Sequence, residues 1–312
     1  MPTHFADRLL AAIAARKAPI CVGIDPIVPM LPEDLLPAGG GSDNGNEAAL
    51  DAIFAFVTRV LKVVAPLVPC VKFQSAYFEQ FHSEGVEAYF SLVGEARELG
   101  LITIGDVKRG DIGSTAAAYA VGHLAERSLD DGNDARPPDA ITVNPMLGLD
   151  TIEPFVKAAA DWRKGLFVLV RTSNPGSTAL QDVKLADGRT WSEMLADQLR
   201  PMTESAGMVG EQGYSAIGAV VGATQPQTMK SLRERLPRSI FLLPGYGAQG
   251  ATAEMTRAAF RDGRGALVSA SRSILYAGQE AKYRDRFGTD WERCIEQAVI
   301  DMKADVGRVI GG

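Results

Sequence analysis

The sequence predicts an α/β fold: a TIM (β/α)8 barrel forming a single domain over residues 1–312, with an N-terminal helix and insertions after strands one and five. Three observations predict it. Short apolar runs rich in Val and Ile recur at 19–24, 68–73, 101–106, 140–143, 166–171, 216–221, 239–243 and 266–269. They are apolar at nearly every position rather than at alternate ones, which calls for burial on both faces, as in a parallel sheet. Amphipathic segments of helical length, such as 46–64, 85–99 and 224–236, lie between them, and strands alternating with helices in this number close a barrel.

The first helix is expected over 5–13, where Phe5, Leu9 and Ile13 recur every four residues. Asp7 and Arg8 interrupt the run, so it reads as a cap over one end of the fold and not as a signal peptide or membrane span. Residues 39–45, Gly-Gly-Gly-Ser-Asp-Asn-Gly, read as a flexible loop after strand one. The span 173–212 after strand five exceeds an ordinary βα loop. It is either a lid over the catalytic face or an insertion carrying its own helix at 191–199.

A net charge of −6 argues against a nucleic-acid binder, which would carry a clustered basic excess. A small anionic substrate needs only a few local donors. Cys21, Cys70 and Cys294 are far apart and have no His nearby, fitting neither a disulfide framework nor a zinc site. A cytoplasmic location is expected, with Cys21 and Cys70 as small buried hydrophobes. His4, His82 and His123 sit in no motif.

In a barrel the informative residues are polar groups at the C-terminal ends of strands. Strand one ends in Gly23-Ile-Asp25-Pro26, strand two carries Val71-Lys72-Phe-Gln74, and strand three runs into Asp106-Val-Lys108. Side chains two apart on a strand share a face, so Asp106 and Lys108 are expected in the barrel mouth beside Lys72 and Asp25. Any one pair could be a buried ion pair that only satisfies itself. Four ionisable groups converging on one mouth are poorly explained that way, because desolvating each costs several kcal/mol. Asp111 falls beyond the strand, on the loop.

Near the end come Leu243-Pro244-Gly-Tyr-Gly-Ala-Gln249-Gly250 and Ser269-Ala-Ser-Arg272-Ser273. The loops after strands seven and eight form the phosphate site of this fold, with glycines admitting backbone N–H groups and a basic residue completing the charge match. The glycines also spell GxGxxG. That motif lies too late for a Rossmann domain, and the following strand does not end in an acid that would hold a ribose.

Taken together, Val71-Lys-Phe-Gln74, Asp106-Val-Lys-Arg-Gly-Asp111-Ile-Gly-Ser-Thr115, Arg171-Thr-Ser-Asn-Pro-Gly176 and Pro244-Gly-Tyr-Gly-Ala-Gln-Gly250 resemble the orotidine 5′-phosphate decarboxylase family, in its longer bacterial branch. The resemblance spans nearly the whole barrel. It implies a cofactor-independent and metal-free decarboxylation of a nucleotide, with Asp106, Lys108, Asp111 and Lys72 as the catalytic array and Lys108 as proton donor. It further implies that Asp25 and Lys72 hold ribose hydroxyls, Ser173 the pyrimidine, and Gln249 and Arg272 the phosphate, with Pro244 lining the base pocket. Asp111 and Thr115 would reach into a neighbouring subunit, giving a homodimer.

Three other readings were weighed. A Mg²⁺-dependent sugar-phosphate lyase or aldolase of the related barrel group shares the DxKxxD strand, but it places an acidic metal ligand at strand two, where this chain has the cation Lys72. A noncatalytic phosphate sensor would need the phosphate loop but not Lys108. An NAD oxidoreductase rests on GxGxxG alone.

Overall fold

A computed structural model of the chain describes residues 4–36, 45–126, 136–247 and 250–310. The strands are β1 (Ile20–Ile24), β2 (Cys70–Gln74), β3 (Ile102–Arg109), β4 (Ala140–Val143), β5 (Gly165–Arg171), β6 (Ser215–Val221), β7 (Ser239–Leu243) and β8 (Ala266–Ala270). They close in sequence order into one barrel, and every pairing is parallel, including β1 with β8. β1, β4, β6, β7 and β8 are buried at every position, which is why their sequence shows no alternation.

Helices Gly45–Val64, His82–Glu98, Gly113–Leu124, Glu153–Trp162, Trp191–Thr203, Pro226–Arg235 and Trp291–Ile310 surround the strands. After β7 the helix is reduced to the single turn Ala253–Thr256. The helix Trp191–Thr203 follows β5 and takes the place of an ordinary barrel helix. It begins with a capping box in which Thr190 and Glu193 bond each other's backbone N–H groups. The extra length after β5 is therefore confined to the segment before it, which holds a short helix at Ser177–Gln181 and a bridge between Lys184 and Thr190. The expected Gly-rich loop at 39–45 lies, apart from Gly45, outside the described residues.

The N-terminal helix runs Phe5–Arg16 and buries Phe5, Ala6, Leu9 and Leu10 against the N-terminal ends of the strands. Phe5 meets Phe167 edge-on at 6.3 Å. Arg8 pairs with Asp139 at 2.9 Å, and Asp7 accepts the N–H groups of Glu211 and Gln212, each at 2.9 Å. The cap thus ties together the chain just ahead of β4, β5 and β6. Cys21 and Cys70 are register partners on β1 and β2, and all three cysteines are free and buried. Among the described residues no helix is long and apolar enough to cross a membrane.

At the same end, Arg233 lies buried with its guanidinium 3.6 Å over the Phe241 ring. It donates to the carbonyl oxygens of Ala259 (2.9 Å), Leu236 (2.9 Å), Ser239 (2.7 Å) and Gly265 (2.7 Å). Burial pushes its pKa down to about 9, so the fork still carries its proton at neutral pH. Arg233→Met would remove all four bonds. The Gly265 and Leu236 carbonyls would keep the Phe241 and Ser239 N–H groups, but those of Ala259 and Ser239 would lose the guanidinium in the interior, where each unsatisfied group costs about 1–3 kcal/mol. Urea unfolding should then show a stability loss of about 3–5 kcal/mol, with kcat of the folded fraction little changed.

Candidate active site

β2 and β3 are in register so that Gln74 stands beside Asp106, which brings Lys72, Gln74 and Asp106 to the C-terminal mouth of the barrel. Asp106 lies between two ammonium groups. Its Oδ2 accepts from Lys72 Nζ at 2.7 Å and its Oδ1 from Lys108 Nζ at 2.6 Å. Thr142, on β4, donates its hydroxyl to Oδ1 at 2.8 Å. Lys72 Nζ also stands 3.8 Å from Asp25 Oδ1, an oxygen buried without a hydrogen-bond partner. Gln74 links the two ends of the group: with its amide turned so that both ends are satisfied, the nitrogen donates to the Asp106 main-chain carbonyl at 2.6 Å and the oxygen accepts from Lys108 Nζ at 3.2 Å.

The electrostatics follow from this packing. Burial alone would raise the Asp106 pKa, but Lys72 and Lys108 overcome it and hold the carboxyl well below the usual carboxylate range. Burial likewise works against the Lys72 ammonium, and Asp106 with Asp25 more than restores it, so its pKa lies above the ordinary lysine value. Both groups are charged at neutral pH.

Lys108 departs from simple strand alternation. β3 continues to Arg109 beyond the apolar run, with a register shift against β4 between Gly105 and Arg109. Within that shift Lys108 takes φ 45°, the left-handed region that a non-glycine residue occupies at a cost of about 1–3 kcal/mol. Its N–H donates to Thr142 Oγ1 at 2.9 Å. The side chain is 44% exposed against 10% for Asp106, so the ammonium reaches from the buried carboxylate toward the opening. Next along, Gly110 passes so close to β4's exit that a Cβ there would meet the Asn144 carbonyl at 2.6 Å. That contact explains the glycine in the motif.

Asp25, Lys72, Asp106 and Lys108 line a cavity of about 430 Å³ that also receives Ser173, Pro244 and Arg272. The C-terminal ends of β2 and β3 and the loops after β1, β5, β7 and β8 therefore meet at one site. Gln249 lies outside the described residues. Asp111 and Thr115 do not line the cavity: Asp111 Oδ1 accepts the N–H of Ile112 at 2.8 Å, and Thr115 is exposed on the helix Gly113–Leu124. Around them lie exposed apolar side chains, with Ile112 at 62%, Met146 at 57% and Leu147 at 58%. Two contributors went unassigned in the sequence reading. Thr142 is a lone hydroxyl in an otherwise apolar strand, and Gln74 sits two residues past Lys72. Tyr276 also supports the site from behind, donating to the Asp25 carbonyl at 3.0 Å and accepting the Ile27 N–H at 2.6 Å.

Behind Lys108, Arg109 pairs with Glu79 at 2.6 Å and donates its Nε–H to His123 Nε2 at 3.2 Å. Burial first, and the Arg109 charge second, push His123 down to about 4. A histidine that charges near 6.5 when unfolded and near 4 when folded leaves stability intact above about 6.5 and removes it as pH falls toward 4, because only the unfolded chain gains the proton. Thermal or urea melts should show this slope between about pH 6.5 and 5, and His123→Gln should flatten it.

Comparison with known proteins agrees with the geometry. The profile of the "Orotidine 5'-phosphate decarboxylase / HUMPS family" matches residues 19–285. A protein of Rhodopirellula baltica named orotidine 5'-phosphate decarboxylase is 40% identical over 303 residues, covering 96% of this chain and 97% of its own. One of the same name from Clostridium novyi is 35% identical over 302 residues, covering 97% and 98%. Among solved structures, a Streptomyces avermitilis chain assigned to the same enzyme superposes with a TM-score of 0.79 at 31% identity, covering 100% of this chain and 97% of that one. Leishmania donovani OMP decarboxylase gives 0.70 at 26%, covering 99% and 100%. With the family profile spanning most of the barrel and these relatives aligned nearly end to end, the chain belongs to the orotidine 5′-phosphate decarboxylase / HUMPS family.

Proposed function

We propose that the chain is a carboxy-lyase that converts orotidine 5′-phosphate to uridine 5′-phosphate and CO₂ in de novo pyrimidine biosynthesis, in the cytoplasm and without a cofactor. The observation that carries this reading is the Asp106 carboxylate held between Lys72 and Lys108 at 2.7 and 2.6 Å, at the edge of a cavity that also receives Arg272.

Breaking the C6–carboxylate bond leaves its electron pair at C6 in the plane of the pyrimidine, where no π system delocalises it. Stabilisation must come from fixed charge. Lys108 Nζ, already aligned by Asp106 and Gln74, lies against the developing carbanion and then transfers a proton to C6, while CO₂ departs. Asp106 meets the substrate carboxylate as a like charge. At about 4 Å and an effective dielectric of about 20 such a pair is worth roughly 4 kcal/mol, or about three powers of ten in rate. Repulsion alone is then too small, and the Lys108 ammonium stabilises the charge that develops at C6 as CO₂ leaves. Lys72 and Asp25 hold ribose hydroxyls, supported by their place in the cavity lining and by an Asp25 oxygen without a hydrogen-bond partner. Ser173 and Pro244 bound the base, and Arg272 with Gln249 takes the phosphate. Phosphate binding remote from C6 contributes energy that organises the mouth.

The reading includes a homodimer in which Asp111 and Thr115 complete the partner's site. Their position outside this chain's own cavity supports it, as do the exposed apolar side chains Ile112, on the same segment, and Met146 and Leu147, after the neighbouring strand β4, since exposed apolar groups of this size favour a protein contact.

A metal-dependent lyase finds less support, because the Lys72 ammonium occupies the strand-two position where a cation ligand would be needed, and it would repel Mg²⁺. Pure protein incubated with orotidine 5′-phosphate and EDTA should consume the substrate, followed by loss of its ultraviolet absorbance. Lys108→Ala should lower kcat by at least about 10³-fold, the upper part of the range for a lost proton donor and charge stabiliser. Turnover that appears only with added Mg²⁺ would overturn the reading. Mixing inactive Asp111→Ala with inactive Lys108→Ala subunits should restore activity in the hybrid's one intact site. Absence of rescue after demonstrated subunit exchange would remove the shared-site arrangement.

A further inference from the structure

The end of β5 holds a buried cation that the proposed chemistry does not use. Arg171 is 3% exposed and does not line the cavity. Its guanidinium forms a two-pronged pair with Asp182, Nε to Oδ1 and a terminal nitrogen to Oδ2, each at 2.8 Å. The other terminal nitrogen donates to Ser177 Oγ at 2.5 Å and to the Thr172 carbonyl. The intervening chain is closed on the same frame: the Thr172 N–H donates to Gln181 Oε1 at 2.7 Å, and Ser177 Oγ donates to the Asn174 carbonyl at 2.5 Å. On the barrel side the Gly222 N–H donates to the Arg171 carbonyl at 2.7 Å. A Cβ on Gly222 would sit 3.1 Å from Ser173 Cα, so Ser173 is seated directly against β6.

What this frame presents to the cavity is Thr172, Ser173 and Asn174. An aliphatic residue at the end of a buried strand would avoid the desolvation of a guanidinium, and buried ion pairs generally add little net stability. A two-pronged arginine pair does fix geometry, because both partners must lie in one plane. We infer that the Arg171–Asp182 pair is a positioning device that sets the wall of the cavity formed by Thr172–Asn174, and through it the affinity for the base of a pyrimidine nucleotide, without touching the ligand. The inference rests on the reading of the cavity as a nucleotide site. It assigns the base-side wall to a pre-tied loop, not to a freely moving lid.

The test compares two probes on the full-length protein, uridine 5′-phosphate and ribose 5-phosphate, which share the phosphate and ribose and differ in the base. Arg171→Lys keeps the charge and loses the fork; Asp182→Asn keeps the shape and loses the charge. Each should weaken binding of uridine 5′-phosphate by about tenfold or more in calorimetry, leave ribose 5-phosphate within about twofold, and raise KM for the nucleotide substrate more than it lowers kcat. Asp182→Asn is the milder change, and its circular dichroism establishes that the chain is folded. Equal weakening of both probes, or no change in either, overturns the inference, since damage to the barrel at large would not single out the base. If the unaltered protein failed to prefer uridine 5′-phosphate over ribose 5-phosphate, the nucleotide reading itself would fall and this inference with it.

Discussion

The carboxylate of Asp106, charged and nearly buried, is the constraint on which the rest of the mouth depends. A carboxylate at that depth would ordinarily take up a proton. It stays ionised because β2 and β4 deliver an ammonium and a hydroxyl to it from either side, and because its own strand turns back to supply a second ammonium. Each neighbour in turn depends on Asp106: Lys72 is buried, and Asp106 with Asp25 offsets the cost that burial puts on its charge, while the Lys108 ammonium is aimed by Asp106. Removing any member leaves another group's charge unbalanced. Such a network keeps its dipoles fixed before a ligand arrives, which is the condition under which charge stabilisation in a site needs little rearrangement.

Much of this architecture can be read from the sequence, and the reasons for the rest are local. Strands β4 and β7 match their apolar runs end to end because both are buried throughout and bounded by polar residues. β3 outruns its apolar stretch because its last residues are held by site groups and not by the core. Lys72 and Asp106 could be grouped from strand periodicity and register, and Lys108 from its spacing of two, although its backbone leaves the pleat to reach the carboxylate. Thr142 could not: a threonine in a strand is ordinarily a β-branched filler, and only the register between β3 and β4 turns its hydroxyl toward Asp106 and the Lys108 N–H. The helix at 191–203 appeared separable from the barrel only because the segment ahead of it is long. Once that segment is closed by Arg171 and Asp182, the helix falls into the normal βα sequence. Asp111 and Thr115 were expected to act away from their own cavity, and a single chain can display only the first half of that expectation, their absence from its lining.

The two ends of the barrel divide their tasks in physical terms. At the N-terminal end, charged groups are spent on backbone carbonyls and on the helix cap, as with Arg233 and the Asp7 and Arg8 contacts. These contacts look inward, to the chain's own backbone and neighbouring carboxylates, although Arg8 Nε is buried there without a partner. At the C-terminal end, polar atoms are left with capacity, among them Asp25 Oδ1 and the hydroxyls of Ser271 and Ser273. At the mouth two of these atoms, on Asp25 and Ser271, belong to residues that line the cavity.

The left-handed backbone at Lys108, pinned through its N–H to Thr142, bears on how this motif could be moved between proteins. Copying the Asp, Lys and Asp spacing onto another barrel strand would transfer the side chains but not the turn that aims them. On an ordinary extended strand the lysine would share the aspartate's face but would lack the left-handed turn and the Thr142 bond that fix its direction here. The unit that can be grafted is therefore a pair of adjacent strands, with the hydroxyl of the second holding the backbone of the first.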